Sequence, residues 1–174
     1  MAFEPDPDNF ELLVKNIATA MYNNVTPVPA AVSDVPGQVG TQFDYGKTSV
    51  TSSGEIPSTP IDMIEGLPRI DFAKIDVEGM ELKVLNGMRQ TIASHKPQML
   101  IEMQDPTTYD FLNGFGYNIY WLTVSTYTEH NHKNNKEDVF GAQHGVINWI
   151  ATTADLSVKL MNVVDRDDTV ERMA

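Results

Sequence analysis

The sequence predicts a three-layer α/β fold, and three observations carry that prediction. Extended and helical patterns alternate along most of the chain, the order from which layered helices and sheets are built. Ile70 to Val77, Met80 to Ser94 and Pro97 to Met103 read as strand, amphipathic helix and strand, and a crossover of that kind returns the second strand parallel to the first. A composition of 41% hydrophobic and 21% charged residues over 174 positions suits one globular core. The expected layout is a domain from Met1 to Thr152 and a mixed-charge tail, 153–174, with weak helical patterning.

The elements follow in order. Met1 to Phe3 reads as the end of a strand that Pro5 and Pro7 cut short. Asp8 stands three residues before Glu11, a capping-box spacing, and Phe10, Leu13, Val14 and Ile17 share one face of the helix it would start. Six of the ten prolines fall between Val25 and Pro68, so short strands and turns are expected there rather than long helices. Val25 to Val32 reads as one extended piece and Gln38 to Tyr45 as another. Thr59-Pro60 opens a short helix, Ile61 to Glu65, which Gly66 ends.

Beyond Ile70 the signals sharpen. Leu82, Leu85, Met88 and Ile92 form the stripe of the crossover helix. Asp105-Pro106 is an N-cap with proline at the first helical position, and Gly114 and Gly116 stop that helix after Asn113. Tyr117 to Leu122 and Val146 to Thr152 read as two final strands joined by a long polar loop.

Composition excludes several function classes. Twenty-four acidic residues against 12 basic ones give a net charge of −12, so a phosphate-tracking nucleic-acid surface would work against the protein's own field. With no cysteine there is no disulfide framework, thiolate metal site or cysteine nucleophile. No window approaches the roughly 18 apolar residues of a membrane span, and residues 1–11 carry four acidic groups without a basic n-region. The expectation is a soluble cytoplasmic protein with neither membrane nor nucleic acid as partner.

The densest group of reactive side chains is Lys74 to Glu81, at the expected strand-to-helix junction. Carboxyl ends of parallel strands border the ligand crevice of α/β folds. Asp76 would end the strand, pinned between Ile75 and Val77, with Glu78 in the turn and Glu81 in the first helical turn. Three such carboxylates could bind a divalent cation, orient an acceptor hydroxyl or act as a general base. Glu78 and Glu81 equally suit a helix start for its dipole alone. Glu4 follows an apolar strand end, where a carboxylate can accept from ribose hydroxyls or simply sit on the surface. Glu102 ends another apolar strand. His130 and His132, with His144 beyond, lie among asparagines and read better as a solvated loop than as a metal site. Trp121 and Trp149 read as core.

Residues 2–12 (Ala2-Phe3-Glu4-Pro5-Asp6-Pro7-Asp8-Asn9-Phe10-Glu11-Leu12), Lys15-Asn16-Ile17, Ala30 to Asp34, Lys74 to Glu81, Leu85-Asn86-Gly87, Lys96-Pro97 and Ile101-Glu102 together resemble the FkbM family of S-adenosylmethionine-dependent methyltransferases. The resemblance spans roughly residues 2–152, and its most specific part is Asp76 to Glu81 coupled to Phe3-Glu4-Pro5. It implies a class I, Rossmann-like methyltransferase fold, mostly parallel, with an antiparallel final strand. It implies that Glu4 holds the ribose of S-adenosylmethionine, that Ala31 and Val32 pass its adenine, and that Asp76 lies beside the transferred methyl group with Glu78 and Glu81 in support. The family's chemistry is mostly O-methylation of sugars and natural products, so the implied acceptor is a hydroxyl of a glycan or small molecule.

The family opens with a strand and a glycine-rich turn that hold the methionine end of the cofactor. Met1 already stands near the start of the second strand, and no G-x-G replaces that turn later in the sequence. The strand so left out is central, between the second and the fourth. Two sheet edges would then carry unpaired backbone groups. The expectation is an oligomer, or a partner chain that completes the sheet. A non-catalytic structural or binding subunit of a larger assembly is the alternative to an enzyme.

Overall fold

Two units divide the chain in the computed structural model, one of Met1–Ile70 and Val77–His95, the other of Asp71–Asp76 and Lys96–Ala174. The structure describes residues 1–44, 47–102, 105–125, 137 and 145–154. His130, His132, His144 and residues 155–174 of the tail lie outside them.

In the first unit, β1 (Ala2–Phe3) pairs in parallel with β2 (Pro27–Val28) as a two-stranded sheet. Between them runs α1 (Pro7–Thr19). Its cap is Asp6, not Asp8: the Asp6 carboxylate accepts from the amides of Asp8 and Asn9, both at 3.1 Å, and Pro7 fills the first helical position, where a missing N–H costs nothing. No residue of α1 is buried. The expected single strand from Val25 to Val32 is two, because Pro29 and Ala30 interrupt pairing before β3 (Ala31–Val32).

A three-stranded sheet follows in the order β3-β5-β4. β4 (Gly37–Asp44) is where the sequence puts it. β5 (Lys47–Thr59) is a 13-residue strand where the sequence predicts only short strands and turns. It runs antiparallel to β4, and its end lies parallel to β3, Ala31 opposite Ser58 and Val32 opposite Thr59. The register shifts between Val39 and Gly40. There Gly40 and Gly54 approach so closely that a side chain on Gly54 would run into the backbone of Val39 and Gly40. Two glycines permit that crossing.

The helix expected from Met80 to Ser94 is two helices, α2 (Glu81–Gly87) and α3 (Arg89–His95). Asp62, in the short 3-10 turn Ile61–Met63, supplies the reason. Its carboxylate accepts from the amides of Gln90 (2.7 Å) and Thr91 (2.9 Å) and from the Thr91 hydroxyl (2.8 Å). Those amides would otherwise bond to Asn86 and Gly87 in an unbroken helix. Gly87 itself lies against the Ser33 carbonyl, with no room for a Cβ. Val84, Leu85, Thr91 and Ile92 are buried.

The second unit is a four-stranded sheet in the order β6-β7-β9-β8. β6 (Phe72–Ile75) and β7 (Gln98–Ile101) are adjacent and parallel, from Phe72 opposite Gln98 to Ile75 opposite Ile101, as the crossover predicts. Each is shorter than the apolar run that announces it. β9 (Gly145–Thr152) lies between β7 and β8 (Asn118–Ser125), antiparallel to both. α4 (Pro106–Gly114) starts at its Asp105 cap. Trp149 is fully buried, edge-on to Tyr109 at 6.2 Å and to Trp121 at 5.8 Å. The Tyr117 hydroxyl donates to the Pro97 carbonyl at 2.8 Å, and burial pushes its pKa up to about 12.

The molecule is therefore a mixed α/β fold, and its sheets are mixed rather than mostly parallel. The reason is connectivity. β4 and β5 follow one another with no crossover and must pair antiparallel. β9 enters its sheet antiparallel to both neighbours. Among the described residues no helix is long and apolar enough to cross a membrane.

Candidate functional site

Glu4 stands at the end of β1, two residues before the α1 cap. Its half-buried carboxylate accepts from the Asp6 amide through Oε1 at 2.9 Å. That bond fixes the carboxylate at the carboxyl end of a parallel strand pair, the position from which an acidic side chain accepts ribose hydroxyls in dinucleotide-binding sheets. The Glu4 amide donates to the Val28 carbonyl at 3.1 Å, so the backbone beneath it is held by β2.

Ala31 is buried and Val32 half-buried; they pack as β3 beside Ser58 and Thr59. Val32 keeps some apolar surface, and Ser33 and Asp34 follow directly. The Ser33 hydroxyl donates to Asp34 Oδ1 at 3.1 Å. Polar chemistry at this strand end lies just beyond the pair that the sequence picks out.

The junction after β6 has a sharply built turn. Glu78 takes a left-handed φ of 47° and Gly79 one of 92°, conformations that cost a non-glycine residue energy and persist where surrounding bonds enforce them. Glu81 supplies those bonds. It is almost wholly buried, and its Oε1 accepts from the amides of Val77 at 3.4 Å and Gly79 at 3.3 Å. In the structure Glu81 thus holds the turn that contains Glu78, which is half-buried. The sequence pairs the two as equals; in the structure Glu81 is the one whose carboxylate braces the turn.

Asp76 belongs to the second unit. The sequence reading pins it inside a buried strand, and that is corrected: β6 ends at Ile75, and Asp76 is exposed, ion-paired with Lys74. Strand pairing stops where Glu102 donates its amide to the Ile75 carbonyl at 3.2 Å. Asp76 is an accessible carboxylate beside a lysine, and its candidacy rests on position at a strand end rather than on desolvation.

Comparison with known proteins supplies a family. The methyltransferase FkbM domain matches residues 1–131. A hexuronic acid methyltransferase, AglP of Haloferax volcanii, is 31% identical over 102 residues, covering 53% of this chain and 42% of that protein. A crystal structure of methyltransferase FkbM from Methylobacillus flagellatus KT aligns with a TM-score of 0.48 at 21% identity, over 85% of this chain and 35% of that one. The chain spans less than half the length of either relative.

Proposed function

Because the chain belongs to the FkbM methyltransferase family, we propose that it serves S-adenosylmethionine-dependent O-methylation of a sugar or natural-product hydroxyl. The observation that carries this reading is the family match over residues 1–131. The relative that acts on a hexuronic acid supports a carbohydrate acceptor. One observation supports Glu4 as a ribose ligand: its carboxylate accepts through Oε1 alone among the described residues, which leaves Oε2 for a ribose hydroxyl.

When bound, S-adenosylmethionine supplies an electrophilic methyl carbon. The chain's residues have separate tasks. Glu4 holds the ribose, and the apolar pair Ala31 and Val32 lines the adenine. Asp76 accepts the proton that the acceptor hydroxyl loses, a role for which a strand-end carboxylate is suited. Glu81 keeps the turn in shape so that Glu78 faces the acceptor, and positioning supplies much of the rate in such a transfer.

Calorimetric titration with S-adenosylhomocysteine tests the reading. Binding that Glu4→Ala weakens at least tenfold, the scale of lost charge-assisted hydrogen bonds, is the expected result. No binding at millimolar ligand overturns the enzyme reading for this chain.

A second reading, a structural or binding subunit within an oligomer or a larger assembly, draws on separate observations. β6 is an outer strand of its sheet and carries Phe72 at 59% exposure, α1 buries none of its residues, and β1 pairs with β2 alone among the described strands. Open strand edges and uncovered helix faces recruit partners by strand addition or burial. Light scattering distinguishes the two readings: a monomer throughout the micromolar range rules out an obligate partner.

A further inference from the structure

The tripeptide Leu-Asn-Gly occurs twice in the chain, at residues 85–87 and 112–114. Each copy ends a helix, α2 at Gly87 and α4 at Gly114, and each leucine is fully buried. Asparagine before glycine is the pairing most open to loss of its side-chain amide, because the glycine nitrogen has no neighbouring side chain to hinder its approach and its backbone turns freely. The two copies share that local chemistry. The surrounding fold is what separates them.

Around the first copy the fold closes the reaction off. Asn86 Nδ2 donates to the Leu82 carbonyl at 2.9 Å, which turns the side chain back along the helix. Gly87 is buried against the Ser33 carbonyl and Met88 is buried after it, and just beyond them Asp62 holds the amides of Gln90 and Thr91. Around the second copy nothing comparable stands. Asn113 and Gly114 are both exposed, and the Asn113 side chain makes no hydrogen bond among the described residues. A Cβ on Gly114 would meet nothing within 4 Å, and Gly116, also exposed, takes a left-handed φ of 78°. Helix ends open more readily than helix middles; this one opens into solvent.

We propose that Asn113 is a site of spontaneous deamidation in the folded chain, while Asn86 is kept intact. The Gly114 nitrogen, its proton passed to hydroxide, attacks Asn113 Cγ. A new C–N bond closes a succinimide ring as the Cγ–Nδ2 bond breaks, and ammonia leaves with a proton taken from water. Water then opens the ring at either carbonyl, giving aspartate or isoaspartate, so water is the only co-reactant. Either product alters the end of α4. Aspartate adds a negative charge to the last turn, where the helix dipole opposes it. Isoaspartate reroutes the main chain through the former side chain, and the Asn113 carbonyl that accepts the Gly116 amide at 2.9 Å becomes part of a free carboxylate.

The test is peptide mapping by mass spectrometry of the full chain, held in mildly alkaline buffer below its unfolding midpoint, beside a sample unfolded in guanidinium chloride. In the folded chain Asn113 should convert at least about tenfold faster than Asn86, the factor that about 1.4 kcal/mol of difference in local opening gives. Unfolded, the two should convert at similar rates, since only the shared tripeptide then acts. Equal rates in the folded chain, faster loss at Asn86, or an intact Asn113 while the unfolded sample converts overturns the proposal. The same tenfold preference in the unfolded sample also overturns it, because Met88 and Phe115 would then be the cause rather than the fold. The isoaspartate species, separated from the unmodified chain, should exchange its Gly116 amide faster; unchanged exchange there overturns the part that concerns the end of α4.

Discussion

α1 and α4 begin with the same two residues and end up in opposite circumstances. Each starts at an Asp-Pro pair, with aspartate as N-cap and proline at the first helical position, and each cap accepts from two backbone amides. α4 then fully buries Thr108 and Leu112, whereas α1 has no fully buried residue in 13 and leaves Phe10, Leu13 and Ile17 half-buried. A cap written in the sequence decides where a helix starts. It does not decide whether anything covers it, because most helix stability comes from packing of the apolar face.

The caps also differ in their first turn, and here the difference is local. Asp105 is followed by Thr107 and Thr108, whose hydroxyls both donate to it. Asp6 is followed by Asp8 and Asn9, and its Oδ2 instead accepts from the Thr41 hydroxyl at 2.9 Å. Burial pushes the Asp105 carboxyl upward, but the hydrogen bonds from Thr107 and Thr108, side chain and backbone, outweigh it and hold the pKa below the ordinary 3.8.

The contrast can be broken most forcefully at Leu112. Leu112→Ala should destabilise the second unit by about 2 to 5 kcal/mol, the usual cost of a core leucine, read from denaturant midpoints. Next, Asp105→Ala should cost about 1 to 2 kcal/mol and carry a pH signature. A carboxyl whose folded pKa is depressed stabilises above its unfolded value, so the Asp105 contribution is full well above pH 3.8 and fades as the pH falls through the folded value. An equal loss at pH 7 and at pH 2.5 would refute that account.

Asp6→Ala should cost about 1 kcal/mol or less, visible as faster amide exchange at Asp8 and Asn9 with little change in the global midpoint. Smallest is Leu12→Ala, at 56% exposure in α1, with an expected change within about 0.5 kcal/mol. A loss of 2 kcal/mol there, growing with protein concentration, would show that α1 is covered by a second molecule and would erase the contrast.

The same division governs what could be read in the sequence. Asp105-Pro106, the parallel pairing of β6 with β7 and the family's Asp76 to Glu81 run were legible because each depends on neighbours in the chain. β5 was not, since Gly54, Pro57 and a run of serines and threonines look like turns until β4 pairs with them. The break at Met88 was hidden for a related reason: its cause, Asp62, lies far upstream. Asp76 looked buried from its apolar neighbours, but pairing ends at Ile75. Glu81 was found as a candidate, yet its task of holding Val77 and Gly79 depends on a left-handed turn that no periodicity announces.

The Asp62 clasp has a kinetic side. Its carboxylate reaches amides 28 and 29 positions downstream, so α3 gets its cap only after that loop has closed, and closure must be complete before the contact returns any free energy. A seven-residue helix is too short to persist on its own. The expected order of events is that the 3-10 turn and the arriving chain meet first and α3 winds afterwards. Pulse-labelled amide exchange during refolding should then show Gln90 and Thr91 gaining protection as the loop shuts, ahead of the residues that follow them in α3.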